Sequence, residues 1–352
     1  MLMNRKRDGH WFIPFFLVAT VLLPIASCDN APSHQSRLTE LNGRTMGTTY
    51  TVKIVDLPQS IEQKTLHQKI DAVLVQVNNV MSTYQSDSEL SLFNQNQSTD
   101  WIDISPELLS VVQAAREISE LSNGAFDVTV GPLVNLWGFG PDVNLEDALP
   151  AAEKINEVRE RVGYQKVELH PSPPAMRKAI PDVYIDLSSI AKGYGVDQIA
   201  TLLEVSNIQN YLVEVGGELR AHGDNADDLP WRLAIEKPVA NERSVQMIIP
   251  LSGQSIATSG DYRNYFEKDG QRYSHIIDST TGKPVTHKLA SVTVLHPSSM
   301  RADGLATAFL VLGPERAYAL ANQKNIAALF LIKTANGFEQ KATMAFQPYM
   351  TE

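Results

Sequence analysis

Apolar and β-branched positions alternate across residues 48–55, a period of two that predicts a half-buried strand. Over residues 61–80 the period changes. Ile61, Ile70, Val73, Leu74, Val77 and Val80 fall at helical spacing and predict an amphipathic helix. A second helix is expected over 106–121, with Ser105 as N-cap, Pro106 at the first helical position and Ser122-Asn123-Gly124 as the stop. A third is expected over 149–162, followed by a strand over 166–170. Four prolines, Pro171, Pro173, Pro174 and Pro181, predict a loop over 171–181. The second half predicts strands at 183–186, 211–215, 232–236, 245–249, 273–277, 291–295 and 327–332. Helices are expected at 190–203, 300–312 and 314–323. Strands and helices do not alternate strictly, and several strands read as hairpin-linked. That order favours an α+β fold with a largely antiparallel sheet over a doubly wound one.

The chain has 352 residues and is 43% hydrophobic, enough for one large or two closely packed domains. Its formal charge is −10. The first 27 residues contain Arg5, Lys6, Arg7 and Asp8, so the part from Cys28 onward carries −12. An acidic body argues against a nucleic-acid partner. An anionic ligand would have to be met locally, by a metal, a helix N-terminus or single cations.

The N-terminus reads as a targeting segment. Arg5-Lys6-Arg7 precedes an apolar run over 11–25 that is short for a membrane span. Leu23-Pro24-Ile25-Ala26-Ser27-Cys28 then resembles a bacterial lipoprotein cleavage box, which would leave Cys28 as a lipidated N-terminus. The alternative is an ordinary secretory signal with an incidental cysteine. Cys28 is the sole cysteine, which excludes an internal disulfide framework and makes a free exported thiol an odd alternative. Asp29 resembles an inner-membrane retention signal of enteric-type bacteria. The expected organisation is a signal peptide (1–27), a lipidated tether (28–38) and one domain (39–352) on the periplasmic side of the envelope.

Candidate chemistry concentrates in a few segments. In VYIDLSSIAKGYG, a β-branched run ends at Asp186, a Ser-rich turn follows, and a helix opens around Lys192, Gly193 and Gly195. A carboxylate, free backbone N–H groups and a cation around one point suit a phosphate with its metal ion. A plain strand, turn and helix is the other reading. No Walker loop is present. Asp303 and Thr307 are four apart, so on a helix they share a face and can reach one ion, for which hard oxygens suit magnesium. An acidic first turn complementing the helix dipole would look the same. Gly304 beside them suggests a crowded site. His275, in YSHIID, would share a strand face with Tyr273, either as a proton carrier or as a hydrogen-bonded sheet residue. The Gly-rich segments at 215–218 and 257–261 read as turns able to approach a ligand. Ala125-Phe126-Asp127 sits in another such loop, leading to Trp137 and Phe139, aromatics of the core or flanks for a planar ligand.

Taken in order, MGTTY, MSTY with DSELS, SNGAFDVTVGPLVNLWGFGP, IDLSSIAKGYGVD, EVGGELRAHG, IATSGDYRNYF, YSHIID and ADGLATAFLVLG resemble the motifs of the ApbE family of FAD:protein FMN transferases. The resemblance covers about residues 40–345. It implies a two-lobed α+β fold. It also implies transfer of FMN from FAD to a Thr or Ser hydroxyl of a target protein, with release of AMP. Typical targets are flavin-bearing subunits of membrane redox pumps of the Rnf and sodium-translocating NADH:quinone reductase kinds. Carried over by motif, Met46, Tyr84, Ala125, Phe126, Asp127, Asp186, Lys192 and His275 would line the FAD site. Ser189 (through its carbonyl), Asp303 and Thr307 would hold magnesium. His275 or Asp303 would receive the proton of the acceptor hydroxyl, and an imidazole has the better ordinary pKa for it. Two positions depart from the family pattern: Ser279 stands where proline is usual, and Gly304 where alanine is common. Competing readings are a magnesium-dependent FAD pyrophosphatase and a non-catalytic flavin-binding lipoprotein.

Overall fold

The first predicted strand has a partner immediately before it. β1 (Leu38–Thr45) and β2 (Thr48–Val55) pair antiparallel around a turn at Met46-Gly47. The computed structural model describes residues 36–140, 149–239, 244–262, 264–268 and 270–350, and residues from 36 onward cluster as one unit. The signal peptide, Cys28 and Asp29 lie outside the described residues. Among those described, no helix is long and apolar enough to cross a membrane.

After the first hairpin come α1 (Gln63–Met81), α2 (Glu89–Gln95), β3 (Ile102–Asp103), α3 (Pro106–Leu121), α4 (Gly131–Leu136), α5 (Ala152–Arg159), β4 (Val167–Pro171) and β5 (Pro174–Lys178). Then follow α6 (Ala191–Val205), β6 (Tyr211–Val215), β7 (Glu218–His222), β8 (Trp231–Glu236), β9 (Val245–Leu251) and β10 (Gln254–Gly260). The chain continues through β11 (Tyr265–Lys268), β12 (Gln271–Ser274), β13 (Ile277–Asp278), β14 (Lys283–Pro284) and β15 (Leu289–His296). It closes with α7 (Ser299–Leu312), α8 (Pro314–Gln323), β16 (Ala327–Thr334) and β17 (Gly337–Ala342).

The centre is an eight-stranded sheet in the order β1-β2-β6-β7-β10-β15-β16-β17. Every strand pairing among the described residues is antiparallel. Strand alternation gives this sheet two apolar faces. Ala257, Val292, Val294, Ala328 and Phe330 pack with α3, α7 and α8. Ile256, Leu295, Leu329 and Leu331 pack with the β8–β9 ribbon through Trp231, Leu233, Ile235 and Ile249. At the other end, Tyr50, Val52, Ile54, Tyr211 and Val213 meet α1 and α6 through Leu66, Ile70, Leu74, Val196 and Ile199. The fold is mixed α+β, with mostly antiparallel sheets flanked by helices.

Several expectations change. The proline-rich stretch contains β5, paired with both β3 and β4. Pro171 and Pro174 are the paired strand ends flanking the hairpin turn, Pro173 lies in the turn and Pro181 beyond the strand, leaving Ala175 to Lys178 free to donate ladder bonds. Residues 183–186 join no sheet. Asn94 replaces a neighbouring strand, its Oδ1 accepting from Ile185 N and its Nδ2 donating to Ile185 O, each at 2.8 Å. Asp186 N donates to Val128 O at 2.7 Å. Residues 257–260, read as a turn, belong to the central strand β10, whose polar Thr258 and Ser259 hide its period. The expected strand 273–277 breaks at His275 and Ile276, between β12 and β13. The helix expected over 149–162 is shorter, and α2, α4, β1, β7, β11 and β17 were not anticipated.

Candidate active site

Three charges meet where α6, β7 and α7 converge. Lys192, in the first turn of α6, places Nζ 3.3 Å from Glu218 Oε1 and 3.6 Å from Asp303 Oδ2. Gly193 N donates to the same Asp303 oxygen at 3.1 Å. That contact needs α6 to lie close against α7. A Cβ on Gly193 would come within 2.3 Å of Ser299 O, so only glycine fits there. Asp197, one turn further along α6, accepts from Ser299 N at 2.9 Å, Met300 N at 3.0 Å and Ser298 Oγ at 2.7 Å. It thereby caps the start of α7 and sets where Asp303 and Thr307 lie. The N–H groups expected to be free at the start of α6 are largely committed, since Ala191 N donates to Leu187 O and Gly193 N to Asp303.

Electrostatics follow from burial. Asp303 is 3% exposed and Glu218 5%. Burial pushes the Asp303 carboxyl above its ordinary range, although Lys192 and the Gly193 N–H oppose this. Burial and the charge of Asp303 push Glu218 up to about 8. Burial works against the Lys192 charge, but the two carboxylates outweigh it and raise its pKa. Thr307 lies one turn after Asp303, its hydroxyl 3.0 Å from Ser259 Oγ on β10. Among the described residues, no three His, Cys, Asp or Glu side chains group as metal ligands. A cation here would rest on the Asp303 carboxylate with neutral oxygens such as Thr307 Oγ1 and the Ser189 carbonyl. Gly304 does not face this point; a Cβ there would meet Ile118 and Ile190 in the core.

His275 stands past the end of β12. Its Nδ1 is 2.8 Å from Asn264 O, an acceptor that fixes the proton on Nδ1 and leaves Nε2 as the basic nitrogen. Phe139 lies edge-on to the imidazole at 6.3 Å. Burial lowers the His275 pKa, with the Asn264 carbonyl opposing. Of the aromatics left open by sequence, Trp137 is buried, stacks on Tyr273 and donates to Gly282 O at 2.8 Å, so it is a core residue. Phe139 lines the cleft.

A cleft of about 500 Å³ contains Ala125, Phe126, Asp127, Phe139, Asp186, Ser189, Lys192, Glu218, His275, Asp303 and Thr307 in its walls. A second, of about 800 Å³, adjoins it through Tyr84, Ser188 and Lys192 and is lined by Met46, Gly47 and Met81. The structure therefore brings every sequence-derived FAD or metal candidate to two adjoining clefts. Their contributions differ. Tyr84 is 75% exposed at the shared rim. Phe126 is buried in the core, so only its main chain can serve the cleft. Asp127 accepts from Thr129 N at 2.8 Å, Thr129 Oγ1 at 2.6 Å and Tyr164 N at 2.9 Å, and so braces its own loop. Burial nevertheless raises its pKa. Asp186 accepts from Ser188 N at 2.8 Å and Ser188 Oγ at 2.5 Å. Glu218 was missed from sequence. Its signal was a carboxylate directly after the Gly216-Gly217 turn, where both φ angles are positive.

Residues 46–330 match the ApbE family. The chain belongs to that family. It is 49% identical over 331 residues to a Vibrio cholerae protein named FAD:protein FMN transferase, covering 94% of this chain and 97% of the relative. A Haemophilus influenzae protein of the same name is 46% identical over 94% of this chain and 96% of its own. The solved flavin transferase ApbE of Vibrio cholerae superposes with a TM-score of 0.83 at 48% identity, covering 89% of this chain and 99% of that one. The apo flavinyl transferase ApbE of Pseudomonas stutzeri also gives 0.83, at 42% identity over 90% and 98% of the two chains. The matched family region spans both clefts and every candidate FAD and metal residue; Cys28 precedes it.

Proposed function

We propose that this chain is a magnesium-dependent FAD:protein FMN transferase that attaches FMN to a Thr or Ser hydroxyl of a target protein and releases AMP. The observation that carries this reading is the meeting of Lys192 with the buried Asp303 in a cleft that also contains Thr307 and His275. A doubly anionic pyrophosphate needs cationic partners, and an attacking hydroxyl needs a proton acceptor. The donor set suits a hard cation, because Asp303, Thr307 and the Ser189 carbonyl are all oxygen ligands. Bound magnesium would withdraw charge from the phosphate oxygens and favour departure of AMP.

The chain's own residues supply the rest. Lys192 offers its ammonium to the phosphates. His275 accepts the hydroxyl proton on Nε2 as the acceptor oxygen bonds to the FMN phosphorus and the bridging P–O bond to AMP breaks. Met46, Tyr84 and Phe139 give apolar and aromatic surface for the flat parts of FAD. The targets are flavin-bearing subunits of redox pumps of the Rnf and sodium-translocating NADH:quinone reductase kinds. We further propose that residues 1–27 are removed and that Cys28 is lipidated. This would hold the enzyme on the periplasmic face, with Asp29 favouring the inner membrane.

The test is intact mass spectrometry after incubating the protein with FAD, magnesium and an acceptor domain bearing a candidate Thr. The expected result is a gain of FMN minus water, lost with EDTA and in Asp303→Ala. AMP and free FMN without a mass gain would replace the reading with hydrolysis. Unchanged FAD would replace it with a binding protein.

A further inference from the structure

Glu218 uses its two oxygens unequally. Oε1 meets Lys192 Nζ at 3.3 Å, while Oε2 is buried and has no hydrogen-bond partner among the described residues. The side chain lines the cleft beside Asp303 and Thr307. Leaving a buried carboxylate oxygen without a donor is costly, and a fold retains such a group where a ligand supplies what is missing. The charges make the same point. In mildly alkaline solution, where Glu218 is ionised, Glu218 and Asp303 contribute two negative charges and Lys192 one positive, so the buried cluster then lacks a cation. A purely structural residue here would be apolar, as Val213 and Val215 are on the adjoining β6.

A divalent ion on Asp303 would stand close to the Lys192 ammonium, and the two cations would repel. Asp303 alone could not hold both. The geometry points to Glu218 as a positioning residue that anchors Lys192 through Oε1 while a divalent cation occupies Asp303, and that takes a hydrogen bond from water of the hydrated cation on Oε2. Magnesium retains several waters in protein sites, so such a donor is at hand. The inference rests on the cation site proposed above. Glu218 acts through Lys192 and the ion, without touching the reacting phosphorus.

The experiment measures cation affinity of the full chain in mildly alkaline buffer with FAD saturating and no acceptor. The probe is manganese, read by electron paramagnetic resonance, with magnesium as competitor. Glu218→Gln is expected to weaken the cation about 10–100-fold. The melting temperature of the ligand-free Gln variant should stay level or rise, because an uncompensated buried charge has gone. Glu218→Asp, which retains the charge, should remain closer to the parent in affinity. Parental affinity in Glu218→Gln, with affinity lost in Asp303→Ala, would overturn the role of Glu218 and leave the cation site standing. Equal weakening in the Gln and Asp variants together with a lower melting temperature would also overturn it, marking Glu218 as structural. Undiminished affinity in Asp303→Ala would remove the cation site and this inference with it.

Discussion

At the scale of single residues, the division of labour depends on which atoms remain available once the fold is made. Asp127 and Asp186 look alike in sequence, each a carboxylate in a loop. The first is committed to Thr129 and Tyr164, and the second shares one oxygen with Ser188. His275 is the reverse case. Its Nδ1 is taken by Asn264 O, which leaves Nε2 for chemistry. His275→Asn should therefore retain FAD binding while the transfer rate falls about 10²–10⁴-fold, the usual contribution of a positioned base. Full-rate transfer by that variant would sink the assignment. The base form is neutral imidazole, and burial lowers the His275 pKa below 6.5. With FAD and magnesium saturating, so that the bound cation holds the Glu218 and Asp303 carboxylates ionised, the rate should thus stay level as pH falls through 6.5 and drop only in more acidic buffer. A decline beginning above 6.5 would contradict this.

At the scale of elements, the site depends on how two helices cross. α6 brings Lys192 and α7 brings Asp303 and Thr307; Gly193 permits the close approach and Asp197 caps the partner helix. Arg220 holds Asp197 in turn, with Nη1 3.2 Å from Oδ1. Asp197→Ala removes the acceptor for Ser299 N, Met300 N and Ser298 Oγ. It should cost about 1–3 kcal/mol of stability, seen as a lower denaturation midpoint with unchanged slope. An unchanged midpoint would show that α7 is positioned by its apolar contacts alone. The period of two was legible wherever one face of a strand is apolar and the other mixed, as in β2 and β6. It failed for β10, where Thr258 and Ser259 border the cleft, and for β7, where Glu218 lines the cleft and Arg220 pairs with Asp197. It also failed for 183–186, where an asparagine side chain replaces the neighbouring strand.

At the scale of the whole molecule, one antiparallel sheet carries a helical layer on one face and a two-stranded ribbon on the other, with one cleft where α6, β7 and α7 converge and the second beside it at the β1–β2 turn and the end of α1. The acidic body leaves anion binding to local groups: Lys192 and the proposed cation. The proposed anchor makes a separate prediction. Cys28→Ser should move the protein from the membrane fraction to the soluble fraction of a cell extract, with activity of the released protein retained. Continued sedimentation with membranes would show that another part of the chain binds them.

The sequence by itself determined the family, the α+β class and most of the candidate site residues. Those depend on residue type, local spacing and motif order, all of which are written along the chain. Only the tertiary structure decided which of these groups keep a free atom and that Glu218 joins Lys192 and Asp303. It likewise decided that the Gly193 N–H is spent on a carboxylate 110 positions away. These outcomes depend on burial and on contacts between distant segments, which neither periodicity nor spacing encodes. A lone glutamate after two glycines looks like a turn until the fold removes its water.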